Sequence, residues 1–263
     1  MEAFVYASGG LGFIFLMTCL GSATVFFFQK SVPGKMHQLT LGFAAGVMIA
    51  ASVWSLLLPA IEAAEAMGIP GWIPAAGGFI FGVFFLYGLD HVIPHLHPLT
   101  NVTEGLPSAS KRTTLLISAV TLHNIPEGMA VGLAFALAAQ NGGGAEMYAP
   151  AIALALGIGI QNFPEGAVIS LPLREEGMAT GRAFALGALS GVVEPVFGFL
   201  AVILAIWVAP VMPWLLSFSA GAMIYVSVEE LIPEANAGRH SHAGTLGVMA
   251  GFLVMMVLDV ALG

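Results

Sequence analysis

Apolar runs long enough to cross a bilayer recur from one end of this chain to the other, and that recurrence leaves few folds open to it. A membrane helix needs roughly 20 mostly apolar residues. Runs of this kind, read between proline, glycine and charge breaks, fall at about 4–28, 39–66, 72–93, 113–139, 148–173, 180–208, 212–234 and 244–262. The longest polar interval, "HPLTNVTEGLPSASKR" from His97 to Arg112, is too short for a soluble domain. Only 8% of the 263 residues are charged, against about 25% in soluble domains. The expectation is an all-α polytopic membrane protein of eight transmembrane helices, one domain spanning residues 1–263.

The basic residues set an orientation. All seven, Lys30, Lys35, Lys111, Arg112, Arg174, Arg182 and Arg239, fall in or beside alternate connections. Lys and Arg mark cytoplasmic loops, so both termini are expected outside the cytoplasm, with the sequon at Asn101 inside. A net charge of −8 without a basic stripe excludes nucleic acid as a partner. The lone Cys19 excludes an internal disulfide, and "MEAFVYASGG" lacks the basic start of a signal peptide.

The runs also echo one another. "AGVMIAASV" (45–53) and "AGAMIYVSV" (220–228) match at six of nine positions, each followed by a proline, Pro59 or Pro233. The third run has Gly82 and then Leu89-Asp90; the eighth has Gly251 and then Leu258-Asp259 at the same spacing. The fourth and fifth runs carry "HNIPEG" (123–128) and "QNFPEG" (161–166). Each pair is separated by an odd number of spans, so its members cross in opposite directions. The implied plan is a 3+2+3 inverted repeat, an organisation of secondary transporters whose sites lie near the midplane.

Polar residues stand where such a plan puts a site. His123 and Glu127 are four apart, hence roughly 40° apart around a helix, with Asn124 in the same arc. Gln161, Asn162 and Glu165 repeat the geometry, and Glu194 in "SGVVEP" adds a third mid-span acid. Pro126 and Pro164 would bend their helices. Gly128 and Gly166 admit a close neighbour, so the two motifs are expected to meet face to face. A charged acid at mid-bilayer costs about 2.5–3.5 kcal/mol on insertion scales, and no Lys or Arg lies at that depth. The acids call for a cation from outside or for a role as a proton relay. Imidazole with carboxylates suits zinc, iron or manganese, and the absence of thiolate argues against copper(I).

"HNIPEG", "QNFPEG", "SGVVEP" and "GFAAGVMIAAS" together resemble the ZIP family of divalent metal transporters, in its bacterial branch, over nearly the whole chain. The resemblance implies eight helices in a three-plus-two-plus-three arrangement and uptake of zinc, with iron, manganese and cadmium as further cargoes, across a bacterial inner membrane. It makes His123, Glu127, Gln161 and Glu165 ligands of a first metal, with Met48 nearby. It makes Asn124, Asn162 and Glu194 a second site, with Glu127 and Glu165 bridging. Asn162 stands where similar bacterial members have aspartate, so the second site is short of negative charge. The bound metal is then cargo and no cofactor is implied; the partners are divalent ions and lipid, with a homodimer as the candidate assembly.

Outside the core, Glu62, Asp90 and Asp259 lie near membrane edges and could pass on cations. His37, His91, His95, His97, His240 and His242 fall on the side that charge assigns to the cytoplasm, where Glu229, Glu230 and Glu234 could join them in receiving released metal. Two other functions compete. "HVIPH" (91–95) has protease-like histidine spacing but Val92 in place of the general-base glutamate of H-E-x-x-H, so no enzyme is expected. A proton- or sodium-driven antiporter would use the acids without His123.

Overall fold

The computed structural model describes residues 2–27, 34–92, 95–96, 103–104, 112–175, 177–207, 209–237 and 241–262. Almost everything described is helical. The helices are α1 (Glu2–Ala23), α2 (Gly34–Ala51), α3 (Leu58–Ala66), α4 (Trp72–Val92), α5 (Arg112–Gln140), α6 (Ala145–Glu175), α7 (Thr180–Ser190), α8 (Val193–Trp207), α9 (Met212–Val226), α10 (Ile232–Ala235) and α11 (Ala243–Leu262). Apart from turns, the described residues also include a pair of two-residue antiparallel strands, His95–Leu96 and Thr103–Glu104.

Several helices join into longer rods. A π-helical turn, Ser52–Leu57, links α2 to α3, and a second, Ser227–Leu231, links α9 to α10. In each the chain slips one residue out of α register: Leu58 N–H bonds the Val53 carbonyl and Ile232 N–H bonds that of Ser227. The prolines that follow, Pro59 and Pro233, explain the slip, because proline has no N–H and crowds the carbonyl four residues back. At the start of each π turn a serine hydroxyl donates back to a buried methionine carbonyl, Ser52 to Met48 (2.7 Å) and Ser227 to Met223 (2.9 Å). Single-turn π segments of this kind gather at functional sites.

Among the described residues, Phe4–Phe26, Gly34–Ala66, Glu146–Leu171, Thr180–Ala205, Met212–Ala235 and Ala243–Ala261 are long and apolar enough to cross a membrane, and Trp72–Gly88 forms a shorter apolar helix. The distribution of side chains agrees. Large apolar residues such as Phe81, Phe84, Leu246, Leu253 and Val260 are exposed, while polar side chains such as Asn124, Glu127, Gln161, Asn162 and Glu194 are buried. A soluble fold would not leave so broad an apolar surface uncovered. The molecule is a multi-pass membrane protein.

Observed helix limits differ from the expected ones mainly in two places. The second rod begins at Gly34 rather than near residue 39, since Lys35 and His37 at a helix start do not interrupt it. The run 180–208 is not one helix: it breaks at Gly191-Val192, between α7 and α8. Pro195 has no N–H to offer the Gly191 carbonyl, which instead accepts from Glu194 N–H (3.2 Å) in a tighter turn. By contrast, α5 runs on through Pro126 and α6 through Pro164. Between α5 and α6 the connection "NGGG" turns on Gly142, Gly143 and Gly144, whose φ of 106°, 67° and 94° exclude most other residues.

Helices meet at glycines in a regular way. Gly82 of α4 abuts the Phe218 carbonyl of α9, and Gly251 of α11 abuts the Phe43 carbonyl of α2. Phe43 and Phe218 each lie two residues before the "AG" that opens the matching strings. Likewise Gly221 abuts the Phe79 carbonyl, and Gly46 that of Val248. In the centre, α1 packs along α6 and α8 along α5.

Candidate metal site

Five of the eight expected ligands are buried side chains that hydrogen bonds tie in pairs or to backbone across α5, α6 and the α7–α8 break. Asn124 is 1% exposed, and Glu127, Gln161, Asn162 and Glu194 are 0% exposed. Gln161 Nε2 of α6 donates to Glu127 Oε1 of α5 (2.7 Å), joining the two motifs. The next residue, Asn162, donates from Nδ2 to Glu194 Oε2 of α8 (2.7 Å). Asn124 donates from Nδ2 to the Ser190 carbonyl, just before the α7–α8 break (3.2 Å). Glu194 sits in the first turn of α8, where the helix dipole favours negative charge. Glu165, one turn beyond Gln161, is part-buried and within electrostatic reach of both Glu127 and Glu194.

All three amides use their nitrogen as a donor to protein. Their oxygens are left over: Asn124 Oδ1, Gln161 Oε1 and Asn162 Oδ1, together with Glu127 Oε2, are buried with no hydrogen-bond partner among the described residues. A buried acceptor left unsatisfied costs about 1–3 kcal/mol. Four such oxygens, two on α5 and two on α6, have unmet acceptor capacity among the described residues. Among the described residues no three His, Cys, Asp or Glu side chains form a metal-holding group by themselves, so the amides matter to any ligand set here.

The glycines of the two motifs face other helices rather than each other. Gly128 opens onto the Glu194 backbone of α8, and Gly166 opens onto the Thr18 carbonyl and Ser22 nitrogen of α1. The contact between the motifs is made by side chains, Gln161 to Glu127. Thr18, which the sequence did not single out, is 1% exposed and places Oγ1 3.3 Å from Glu194 Oε1. Only its spacing four residues before Ser22, both facing the α6 motif, could have drawn notice.

The other expected residues divide. Met48 is fully buried on α2, which packs on α6. His123 lies in α5 one turn before Glu127, but its imidazole is outside the described side chains, as are those of Asp90 and His95; His97 and His240 lie outside the described residues altogether. Glu62 and Glu229 are exposed, and Glu230 is buried within the second π turn. Glu234 stands 3.3 Å from His37 Nε2. Asp259 is not a solvated edge residue: it is 7% exposed and accepts from Ser55 Oγ of the first π turn (2.5 Å).

Fold and site together define a polytopic helical membrane protein enclosing a carboxyl–amide cluster. The profile of the family described as ZIP Zinc transporter matches residues 100–259, more than half of the chain. Zinc transporter ZIP11 of Homo sapiens is 37% identical, over an alignment covering 97% of this chain and 96% of that protein. Zinc transporter ZIPB of Bordetella bronchiseptica is 37% identical (95% and 79%), and zinc transporter GufA of Myxococcus xanthus is 39% identical (87% and 88%). The chain belongs to the ZIP family.

Proposed function

We propose that this protein transports divalent transition-metal cations, zinc foremost, into the cytoplasm through the cluster between α5 and α6. The observation that carries the reading is the set of buried oxygens on Asn124, Glu127, Gln161 and Asn162 that no described residue satisfies. The first ion would take His123, Glu127, Gln161 and Glu165, with Met48 nearby; the second would take Asn124, Asn162 and Glu194, sharing Glu127 and Glu165. Imidazole, carboxylate and amide oxygen also admit iron, manganese and cadmium. The zinc transporters it resembles in sequence support transport over catalysis.

We read the architecture as eight spanning helices in a 3+2+3 inverted repeat. Its support is that Gly82–Phe218 and Gly251–Phe43, and again Gly221–Phe79 and Gly46–Val248, are contacts between corresponding residues of the two halves. The break before Glu194 also suits a transporter, where interrupted helices line sites. The protein would lie in a bacterial inner membrane with both termini outside, a reading supported by the basic residues on alternate connections. Glu62 and Asp259 would serve the approach, and Asp90, His95, His97, Glu229, Glu230, Glu234 and His240 the release. One chain supplies every proposed ligand, so a homodimer would pair two complete sites.

Purified protein in sealed vesicles should admit zinc down its gradient. Flux of another substrate against a proton or sodium gradient, with no zinc entry, would replace this reading with the antiporter. Cysteines placed at Glu2 and Gly263, in a chain lacking Cys19, should react with an impermeant thiol reagent on intact cells. Labelling at Ser108 instead would reverse the orientation.

A further inference from the structure

Glu194 is held more fully than the other buried carboxyl of the cluster. Thr18 Oγ1 lies 3.3 Å from Glu194 Oε1 and 3.3 Å from the Ile14 carbonyl one turn earlier. Asn162 Nδ2 makes the matching pair, 2.7 Å from Glu194 Oε2 and 3.3 Å from that same Ile14 carbonyl. Both oxygens of Glu194 therefore lie within hydrogen-bond distance of a protein donor.

Packing fixes Thr18 in this place. Gly166 leaves room for the Thr18 backbone, and a Cβ on Gly191, at the α7–α8 break, would lie 2.9 Å from Thr18 Cγ2 and 3.1 Å from Oγ1. The last glycine of the α6 motif meets Thr18 as the last glycine of the α5 motif meets Glu194. Motif for motif, α1 presents a hydroxyl where α8 presents a carboxyl, and the two touch.

We propose that Thr18 and Asn162 form a donor clamp on Glu194 that fills the second cation position in the unloaded protein, so that Thr18 sets how readily a second divalent ion enters. This rests on reading the cluster as a divalent-metal site. A threonine hydroxyl has one hydrogen to give. In the empty site the Glu194 carboxyl and the Ile14 carbonyl, each 3.3 Å from Thr18 Oγ1, compete for that hydrogen. When a cation takes Glu194 Oε1, the hydroxyl turns to the Ile14 carbonyl, a back-bond that helical threonines commonly make. No donor is orphaned. Asn162 can likewise keep one amide hydrogen on Ile14 while releasing the other. The clamp lowers second-ion affinity by the difference between the two kinds of bond, without closing the site.

Zinc titrated calorimetrically into the purified full chain tests this. Thr18→Val keeps the branched shape and removes the hydroxyl, whereas Thr18→Ser keeps the hydroxyl. Thr18→Val should tighten the second zinc about fivefold and shift the first by less than about twofold, with Thr18→Ser within about twofold of the unaltered chain for both. A destabilised helix would weaken both ions together, so the split separates a clamp from a merely structural threonine. If Thr18→Val does not fold, Thr18→Ala must show the same tightening. A second zinc that binds no better without the hydroxyl, while the first binds normally, would overturn the clamp. Folded protein that binds no zinc in any form would instead overturn the metal site itself, and the clamp with it.

Discussion

Glu127 and Glu194 are both fully buried, yet they are held in opposite ways. Glu127 takes a donor from Gln161 on Oε1, and its Oε2 has none among the described residues. Glu194 takes one on each oxygen, from Thr18 and from Asn162. One carboxyl is poised for a ligand from outside; the other is already satisfied by the protein. Two divalent ions a few ångströms apart also repel, with little screening inside a protein. Both effects run the same way: the ion on the Glu127 side should bind tightly, and the ion on the Glu194 side weakly.

The largest test of that contrast is Glu127→Gln, which keeps size and removes the charge of the open carboxyl. Losing even an outer-shell partner costs about 10–100-fold in metal affinity, so losing this ligand should weaken the first zinc by at least about 100-fold, with vesicle flux falling alongside. Glu194→Gln should weaken the second zinc while leaving transport measurable. Near-normal first-ion binding in Glu127→Gln would erase the distinction between the two carboxyls.

Next in size are the glycines that bring each carboxyl's neighbours together. Gly128→Ala would drive a methyl into the Glu194 backbone, and Gly166→Ala would drive one into the Thr18 carbonyl. Overpacking of this kind costs about 1–3 kcal/mol, and here backbone rather than a flexible side chain must yield. Thermal denaturation of the purified protein should show a lowered midpoint for both. An unchanged midpoint for Gly166→Ala would mean that α1 is free to draw back, loosening Thr18 from Glu194.

The smallest expected change sharpens the comparison. Asn162→Asp removes a donor from Glu194 and adds a carboxylate beside it, so the empty site loses a bond and a filled site gains a ligand. Zinc titration should find the second ion tightened about tenfold, the equivalent of ~1.4 kcal/mol, and the first moved far less. Equal tightening of both ions would show that Asn162 does not discriminate between them.

Much of this was legible in the residues. Eight apolar runs announced a multi-pass membrane protein, and the strings at 45–53 and 220–228 are what the proposed inverted repeat rests on in the sequence. "HNIPEG" and "QNFPEG" marked the cluster, since polar side chains inside apolar runs need a reason to be there. Met48, Asn124, Glu127, Gln161, Asn162 and Glu194 are indeed buried. Pro59 and Pro233 stood out in the sequence only as matching features of the two strings; that each follows a π turn is visible only in the fold. Pro126 and Pro195 show why local signals stop short: α5 passes through the first, while the second follows a break.

What sequence could not decide is which groups meet across helices. Gly128 and Gly166 were visible as sites of close approach, but their neighbours, Glu194 on α8 and Thr18 on α1, are far away in the chain. Asp259 reads as an edge acid until the first π turn brings Ser55 against it. Thr18 is an ordinary helical threonine by every local measure, and only the packing of α1 against α6 and the broken rod turns its hydroxyl toward Glu194. Periodicity and composition act along one chain segment and so are written in it. Whether a carboxyl is open or capped depends on donors from several segments arriving at hydrogen-bond distance, which only the folded packing fixes.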